Sequence, residues 1–226
     1  MPSWLTFEST EFEYGSAELR KAQPIMTTWT DDDIAAFLKV VDAEDDKTGG
    51  GTASAVAGAM AAGLTGMVAR LSIGREGMEP EPYYREIDAE AQVLTGSLLR
   101  GGREDSEAFG AVMRAFTLPK CTDDEKAARS AAIQDGMVGA AKVPLQNGER
   151  CASVLGLVTR LQGRSNLNAA SDLAVAGALA RTALVGCLAN VEINVESIKD
   201  EHTSAALSGR AAELRLALEQ GEANHG

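Results

Sequence analysis

The sequence predicts an all-α fold, an antiparallel helix bundle, from two observations. No segment alternates apolar and polar residues with the period of two that a half-buried strand shows, so no sheet is required. Apolar residues instead recur three and four positions apart through most of the chain, which places them on one helix face. The 226 residues can bury a core in a single domain, which we assign to residues 26–226. Residues 1–25 show no sustained period and are interpreted as a peripheral N-terminal extension.

The first predicted helix follows Thr30, whose successors Asp31 to Asp33 are typical of the first turn after an N-cap. One apolar face is expected to follow on this short helix. Its members are Ile34, Phe37, Leu38 and Val41.

Three glycines, Gly49, Gly50 and Gly51, open onto the most apolar run in the chain, Thr52 to Ala69. Glycines let backbone amides turn toward a ligand, and a helix start favours an anion. Thr52 or Ser54 is expected to cap this helix. A flexible turn before a buried helix is the plainer interpretation, and the glycines alone do not decide between the two.

Small residues then recur every four positions, at Gly58, Ala62 and Gly66, which predicts a central helix contacted on all sides. Because the run is mostly Ala and Gly, it fits a bundle core better than a bilayer. The helix should end within residues 72–77, and Pro80 and Pro82 should keep the following connection extended.

A long helix is predicted from Tyr83, and the glycine pair at 101 and 102 is expected to weaken or kink it. Asp105 falls four residues before Phe109, on the inward-leaning side, where a charge is costly. A surface acid among neighbouring charges is the alternative for Asp105. The apolar stripe of this helix comprises Ile87, Ala91, Leu94, Leu98, Phe109, Val112 or Met113, and Phe116.

Lys120 ends that helix after Leu-Pro, and the run from Thr122 to Glu125 is a capping box for the next. A lysine at this place could serve a ligand or simply favour the helix C-terminus. Pro144 should kink or restart the fourth helix, which ends at Gly163. Its second half carries an apolar stripe of Cys151, Val154, Leu155, Val158 and Leu161.

A second polar cluster spans residues 163–172 and includes Asn166, Asn168 and Asp172. These side chains are also ordinary helix-start chemistry, so both interpretations stay open. On the next helix, Asn190 and Asn194 lie one turn apart beside an apolar seam and need partners. The seam comprises Leu184, Leu188, Val191, Val195 and Ile198, and a last helix carries Leu207, Ala211, Leu214 and Leu218.

The composition excludes several functions. A net charge of −12 and a pI near 4.7 argue against nucleic-acid or anionic-membrane surfaces, because both need clustered Lys and Arg. Three widely spaced cysteines give no disulfide framework, which favours a reducing compartment. Two histidines near the C-terminus offer no zinc ligand set, so no metal is expected. No secretion signal opens the chain, and a cytoplasmic location is expected.

In this order, these pieces resemble the formiminotetrahydrofolate cyclodeaminase and methenyltetrahydrofolate cyclohydrolase family, over most of residues 28–218. Each motif is weak alone, but their order and spacing together are specific. The motifs are Gly49-Gly50-Gly51-Thr52, Asp105 with Ala108-Phe109, Leu118-Pro119-Lys120 followed by Thr122, Glu125-Lys126 and Arg129, Val143-Pro144-Leu145, Asn166-Leu167-Asn168 with Ser171-Asp172, and Asn190 to Asn194.

The resemblance implies an all-α bundle that forms a homodimer and holds a tetrahydrofolate derivative as substrate, without a metal, in a crevice lined by the glycine loop. It implies either hydrolysis of 5,10-methenyltetrahydrofolate to 10-formyltetrahydrofolate or closure of 5-formiminotetrahydrofolate to the methenyl form with loss of ammonia. Asp105 is then the general acid or base, and Lys120 stabilises charge or binds the glutamate tail. Pterin hydrogen bonds would come from Asn166, Asn168, Asp172, Asn190 and Asn194.

Two other functions stay open. The family commonly has a lysine-rich segment where this chain has Gly74 to Met78. This departure favours a folate binder, or a binder of another small ligand, that has lost turnover. The third hypothesis is a helical structural or interaction module, in which the Asn and Gly residues serve only caps and close packing. Apolar stripes at 4 and 3 spacing suit a monomeric bundle as well as a dimer.

Overall fold

The computed structural model describes residues 31–42, 44–45 and 48–223, and within them the protein is helical, without strands. The all-α prediction is therefore confirmed for this part of the chain. The extension 1–25, Thr30 and Lys47 lie outside the described residues. A short 3-10 turn, Leu167–Ala169, precedes the fifth helix. The helices are α1 (Asp31–Val41), α2 (Gly50–Ser72), α3 (Glu81–Phe116), α4 (Asp123–Leu161), α5 (Ala170–Val195) and α6 (Glu201–Ala223).

Helix α2 is the centre of the bundle and packs against α3, α4 and α5. Its small residues permit this, since a Cβ on Gly58 would lie 2.7 Å from Cys151 Sγ. Helix α5 runs antiparallel to α2: the first turn of α2 lies at Asn190, and Ser72 at its end lies at Asn166. The predicted central position is confirmed, but the predicted contact on all sides is wrong for one chain, because Met60 and Leu71 lie on an exposed side of α2.

Helices α3 and α4 continue through the two positions where a kink, weakening or restart is predicted. Gly101 and Gly102 lie inside α3, where a Cβ on Gly101 would lie 1.9 Å from Asn147 Oδ1 on α4. The glycines therefore allow close approach of a side chain. Pro144 lies inside α4 and does not restart it. Because proline has no N–H, the Ala140 carbonyl loses its helical donor, and Asn194 Nδ2 donates to that carbonyl at 2.9 Å.

Helix ends follow local chemistry with two corrections. The capping box is confirmed, because Thr122 Oγ1 accepts from the Glu125 amide at 3.2 Å and the Glu125 carboxylate accepts from the Thr122 amide at 3.0 Å. The predicted cap of α2 is wrong: Gly49 is the N-cap without a side-chain bond, and the Ser54 hydroxyl donates to Gly50 O. Helix α3 begins at Glu81, with Pro82 inside its first turn, where a missing N–H costs nothing.

The predicted apolar faces are buried in the second half of the chain and partly exposed in the first. The stripes of α5 and α6 lie in the core, from Leu184 to Leu214. Of the predicted stripe at the end of α3, only Val112 is buried. The burial of Ile34 lies outside what the structure describes. The exposed members are Phe37, Leu38, Val41, Phe109, Met113 and Phe116.

Candidate active site

The start of α2 meets Asp105 of α3. The Thr52 hydroxyl donates to Asp105 Oδ2 at 2.9 Å and also lies 3.2 Å from the Gly102 carbonyl. A Cβ on Gly51 would stand 2.5 Å from Asp105 Oδ1, closer than such atoms approach. Only a glycine at position 51 therefore lets the carboxylate lie against the first turn of α2.

Burial raises the pKa of the Asp105 carboxyl, although hydrogen bonds from the Thr52 hydroxyl and amide act in the opposite direction. In the described part of the chain, no lysine or arginine forms an ion pair with Asp105. A carboxylate that burial makes more basic, and that no cation neutralises, is suited to accept and return a proton.

Asn190 and Asn194 lie beside this site with their amide groups already engaged. Asn190 Nδ2 stands 3.5 Å from the place of a Cβ on Gly50 and donates to Gly186 O at 2.9 Å. Asn194 Nδ2 donates to Ala140 O and to Asn190 O, both at 2.9 Å. Their contact with a pterin stays a prediction, and for Asn194 only the side-chain oxygen is left to make it.

The second polar cluster lies at the other end of α2. Asn166 bonds to Leu71 and Ser72, and twenty residues of helix separate Ser72 from Thr52, about 30 Å at about 1.5 Å per residue. Asn168 and Asp172 belong to the same turn and the first turn of α5. One chain therefore does not bring these three residues to Asp105.

Lys120 is also separate from Asp105. It lies after the end of α3 and lines a cavity with Lys126, Arg129 and Lys199. The cavity lies level with Phe116, because the Arg129 guanidinium donates to the Phe116 carbonyl. Along α3, Phe116 is about 16 Å from the level of Asp105. The structure gives Lys120 no direct contact with Asp105.

Asn147 is a polar residue of this region that the sequence analysis missed. Its side chain is fully buried against Gly101, one helical turn before Asp105. Asn147 Oδ1 accepts from Arg150 Nη1 at 2.7 Å, and its Nδ2 has no acceptor among the described residues. The glycine pair at 101 and 102 was the signal in the sequence for this contact, because paired glycines in a long helix also indicate close approach of another element.

A thiol mechanism does not suit this site. Cys187 and Cys151 are buried neighbours in the core beside it. The Cys151 thiol, burial and the Asp105 charge all raise the pKa of the Cys187 thiol, which keeps it protonated. A protonated thiol is a poor nucleophile. Among the described residues, no group of three or more His, Cys, Asp or Glu could hold a metal ion.

Comparison with known proteins gives one consistent result. The sequence model described as formiminotransferase-cyclodeaminase matches residues 33–213. A methenyltetrahydrofolate cyclohydrolase of Methylorubrum extorquens is 38% identical over 168 residues, covering 74% of this chain and 81% of that protein. A formimidoyltransferase-cyclodeaminase of Sus scrofa is 31% identical over 182 residues, covering 80% of this chain and 34% of that protein. The chain thus spans about a third of the length of this second relative.

A solved structure shares the fold. The crystal structure of formiminotetrahydrofolate cyclodeaminase from Thermotoga maritima superposes with a TM-score of 0.71 at 28% identity. The match covers 81% of this chain and 88% of that one. The arrangement of helices that positions the carboxylate is therefore not peculiar to this chain.

Proposed function

Because this chain belongs to the formiminotransferase-cyclodeaminase family, we propose that it is an enzyme that interconverts folate one-carbon derivatives through 5,10-methenyltetrahydrofolate. The observation that carries the proposal is the half-buried Asp105 carboxylate against the glycine start of α2. Both family reactions pass through a tetrahedral carbon between N5 and N10, and both need proton transfer at that carbon.

Methenyltetrahydrofolate cyclohydrolase is the activity we favour. The Methylorubrum relative with that name has the higher identity to this chain, and the match covers most of both proteins. Cyclodeaminase activity is the second candidate, supported by the Thermotoga structure.

In the favoured reaction, water adds to the methenyl carbon and Asp105 accepts the proton that the water loses. The C–N5 bond of the tetrahedral adduct then breaks while the adduct hydroxyl loses its proton to solvent. The protonated Asp105 returns its proton to N5, which leaves 10-formyltetrahydrofolate and one proton released overall. The raised pKa of Asp105 suits the first step, since it makes the carboxylate a better base.

The experiment follows methenyl absorbance with purified protein and two substrates. Loss of absorbance with 5,10-methenyltetrahydrofolate that is faster than without protein identifies a cyclohydrolase. Gain of absorbance with 5-formiminotetrahydrofolate identifies a cyclodeaminase. No change in either assay while a folate still binds would contradict the enzyme proposal and favour the folate-binding alternative.

We also propose that two copies pair through the outer faces of α2 and α5. Both helices are long and apolar enough to cross a membrane by length and composition alone, and only 39% of the most apolar stretch within Leu167–Val195 is buried in one chain. The exposed side of α2 carries Met60 and Leu71, and that of α5 carries Val175 and Val185. Such a patch on a protein in water is typical of an interface.

Sedimentation tests the dimer. Met60→Glu should shift the protein to monomer, because it places a charge inside the contact. The matched control is Val93→Glu, because Val93 is more exposed than Met60 and belongs to α3, which is not part of the proposed interface. A wild-type protein that sediments as a monomer, or equal effects of both variants, would contradict the proposal.

A further inference from the structure

A cavity of about 360 Å³ lies between the turn after α3, the first half of α4 and the segment after α5. Among the described residues no carboxylate lines it, and one of its cations lacks an acceptor, because Arg129 Nε is buried without a partner. A buried N–H of this kind is costly, and an anionic oxygen would remove that cost. We call the cavity the basic hollow. Its basic side chains are Lys120, Lys126, Arg129 and Lys199.

An apolar strip on α3 leads to the basic hollow. Phe109, Met113 and Phe116 lie four and three residues apart on one helix face and are 43%, 51% and 45% exposed. The strip that they form is about 10 Å long. The Arg129 guanidinium lies over the Phe116 ring, 5.6 Å from its centroid, so the strip and the basic hollow are continuous. Large apolar side chains on one exposed face are typical of a contact surface.

The N-terminal part of the described chain lies against the same helix. Helix α1 packs against α3. Between α1 and α2, Thr48 Oγ1 lies 3.2 Å from Ser106 Oγ on α3, and Ser106 precedes Phe109 by three residues. The residues before Asp31 are therefore joined to an element that already contacts the helix of the apolar strip.

The segment 4–14, which lies outside the described residues, has the composition that this surface requires. It holds four of the ten Phe, Trp and Tyr residues of the chain, with three glutamates among them, and no lysine or arginine precedes Arg20. Aromatic side chains suit an apolar strip, and carboxylates suit a cluster of cations. The sixteen residues between Tyr14 and Asp31 can extend over about 50 Å, so the segment can reach the strip. Its aromatic residues are Trp4, Phe7, Phe12 and Tyr14, and its glutamates are Glu8, Glu11 and Glu13.

We propose that the segment 4–14 docks on the apolar strip of its own chain, with aromatic side chains against Phe109, Met113 and Phe116 and a glutamate carboxylate in the basic hollow. That carboxylate accepts the hydrogen bond that Arg129 Nε otherwise lacks. Because the strip begins one helical turn after Asp105, the docked segment also covers one side of the candidate active site. The inference requires no folate and is independent of the proposed function.

Tryptophan fluorescence tests the docking, because the two tryptophans of the chain are Trp4 and Trp29. In the full-length Trp29→Phe protein, the emission reports on Trp4 alone. We expect emission at a shorter wavelength than in urea, together with weaker quenching by acrylamide, because the docked indole is shielded from water. Adding Met113→Glu should lower the docking equilibrium constant by about tenfold or more, the factor for one buried apolar side chain. Both signals should then move toward their values in urea.

Val93→Glu is the matched control for the strip, because Val93 is also exposed and lies on the opposite face of α3 from Met113. Trp4 signals equal to those in urea, or equal effects of Met113→Glu and Val93→Glu, would overturn the inference. Signals that return to the urea values on dilution would identify a second copy as the occupant and would also overturn it.

A second pair of variants tests the basic hollow. Lys199→Gln should weaken the docking by about threefold, since exposed charge pairs contribute little each. Lys142→Gln, which removes the same charge from an exposed position of α4 that does not line the hollow, should leave it unchanged. Equal effects of these two variants would refute the place of the glutamate in the hollow.

Discussion

The two ends of α2 carry similar residue types and differ in how their hydrogen bonds are satisfied. At the Ser72 end, the Asn166 amide donates to Ser72 Oγ at 2.9 Å, Nδ2 donates to Leu71 O at 3.1 Å and Oδ1 accepts from Asn168 N at 3.0 Å. At the Gly50 end, Asp105 has Thr52 as its hydrogen-bond donor and a raised pKa. Polar groups that satisfy one another hold a loop, whereas a partly buried, uncompensated charge is available to a ligand.

The largest expected effect is that of Asp105→Asn on turnover. Asparagine keeps the size of the side chain and can still accept from Thr52, but it cannot take a proton. We expect kcat to fall about 10³-fold, within the usual range for loss of a general acid or base. Steady-state kinetics by methenyl absorbance measure it, with circular dichroism as the control for folding. A loss below tenfold would show that Asp105 does not transfer the proton.

Gly51→Ala should come next. The added methyl would lie 2.5 Å from Asp105 Oδ1, so the carboxylate must move away from the first turn of α2. A displacement of about 1 Å costs about 10²-fold in rate. Gly156→Ala is the matched control, because Gly156 lies on α4 with nothing within 4 Å of an added Cβ. If both variants keep wild-type kcat, the close contact at Gly51 has no catalytic role.

Asn166→Ala should affect stability more than chemistry. It removes the side-chain bonds to Leu71 and Asn168, and we expect the free energy of unfolding to fall by about 1–3 kcal/mol. Urea denaturation measures the loss, and kcat per folded molecule should stay within about twofold of the wild type because about 30 Å of helix separates Asn166 from Asp105. A large activity loss at unchanged stability would instead place the Ser72 end in a site shared between two copies.

A double-mutant cycle tests the pairing of Asn194 with the carbonyl that Pro144 leaves without a donor. Asn194→Ala should cost about 1–2 kcal/mol of unfolding free energy. In a Pro144→Ala background the same change should cost about 1 kcal/mol less, since residue 144 then supplies the N–H to Ala140 O. Equal costs in both backgrounds would show that the two positions are independent.

The smallest expected effect is on the pH dependence of stability. Because the pKa of Asp105 is higher in the folded protein than in the unfolded chain, folding favours the protonated carboxyl. Its contribution is present below the unfolded pKa and is lost as pH rises through the folded pKa, with a slope of at most about 1.4 kcal/mol per pH unit. Unfolding free energies of the wild type should therefore fall relative to Asp105→Asn over this window. Parallel curves would contradict the raised pKa.

The fold was predictable wherever the signal is local. The capping box at Thr122 and the positive φ of Gly163 after α4 are determined by neighbouring residues, and the structure confirms both ends. The contacts made at Gly101 and Pro144 were not predicted, because they depend on Asn147 and Asn194, which come from other helices. Sequence spacing along one helix carries no information about such partners.

The candidate site was predictable only in part. The order of motifs predicted that Asp105 lies at the glycine start of α2. Asparagine is equally common in loop turns and in ligand sites, so the role of Asn166 could not be assigned from its residue type. The separation of Lys120 from Asp105 also escaped prediction, because it depends on how far α3 extends before the chain turns.

Pro144 has a mechanical consequence for the whole bundle. One backbone hydrogen bond is absent from α4, and the Asn194 side chain of α5 supplies a donor in its place. A shift of α5 along α4 by one helical turn would move the Asn194 amide out of hydrogen-bond distance and leave the Ala140 carbonyl in the interior without a donor. The bond from Asn194 to Ala140 O therefore fixes the axial position of α5 against α4. Through α5 it also fixes the position of Asn190 beside the first turn of α2.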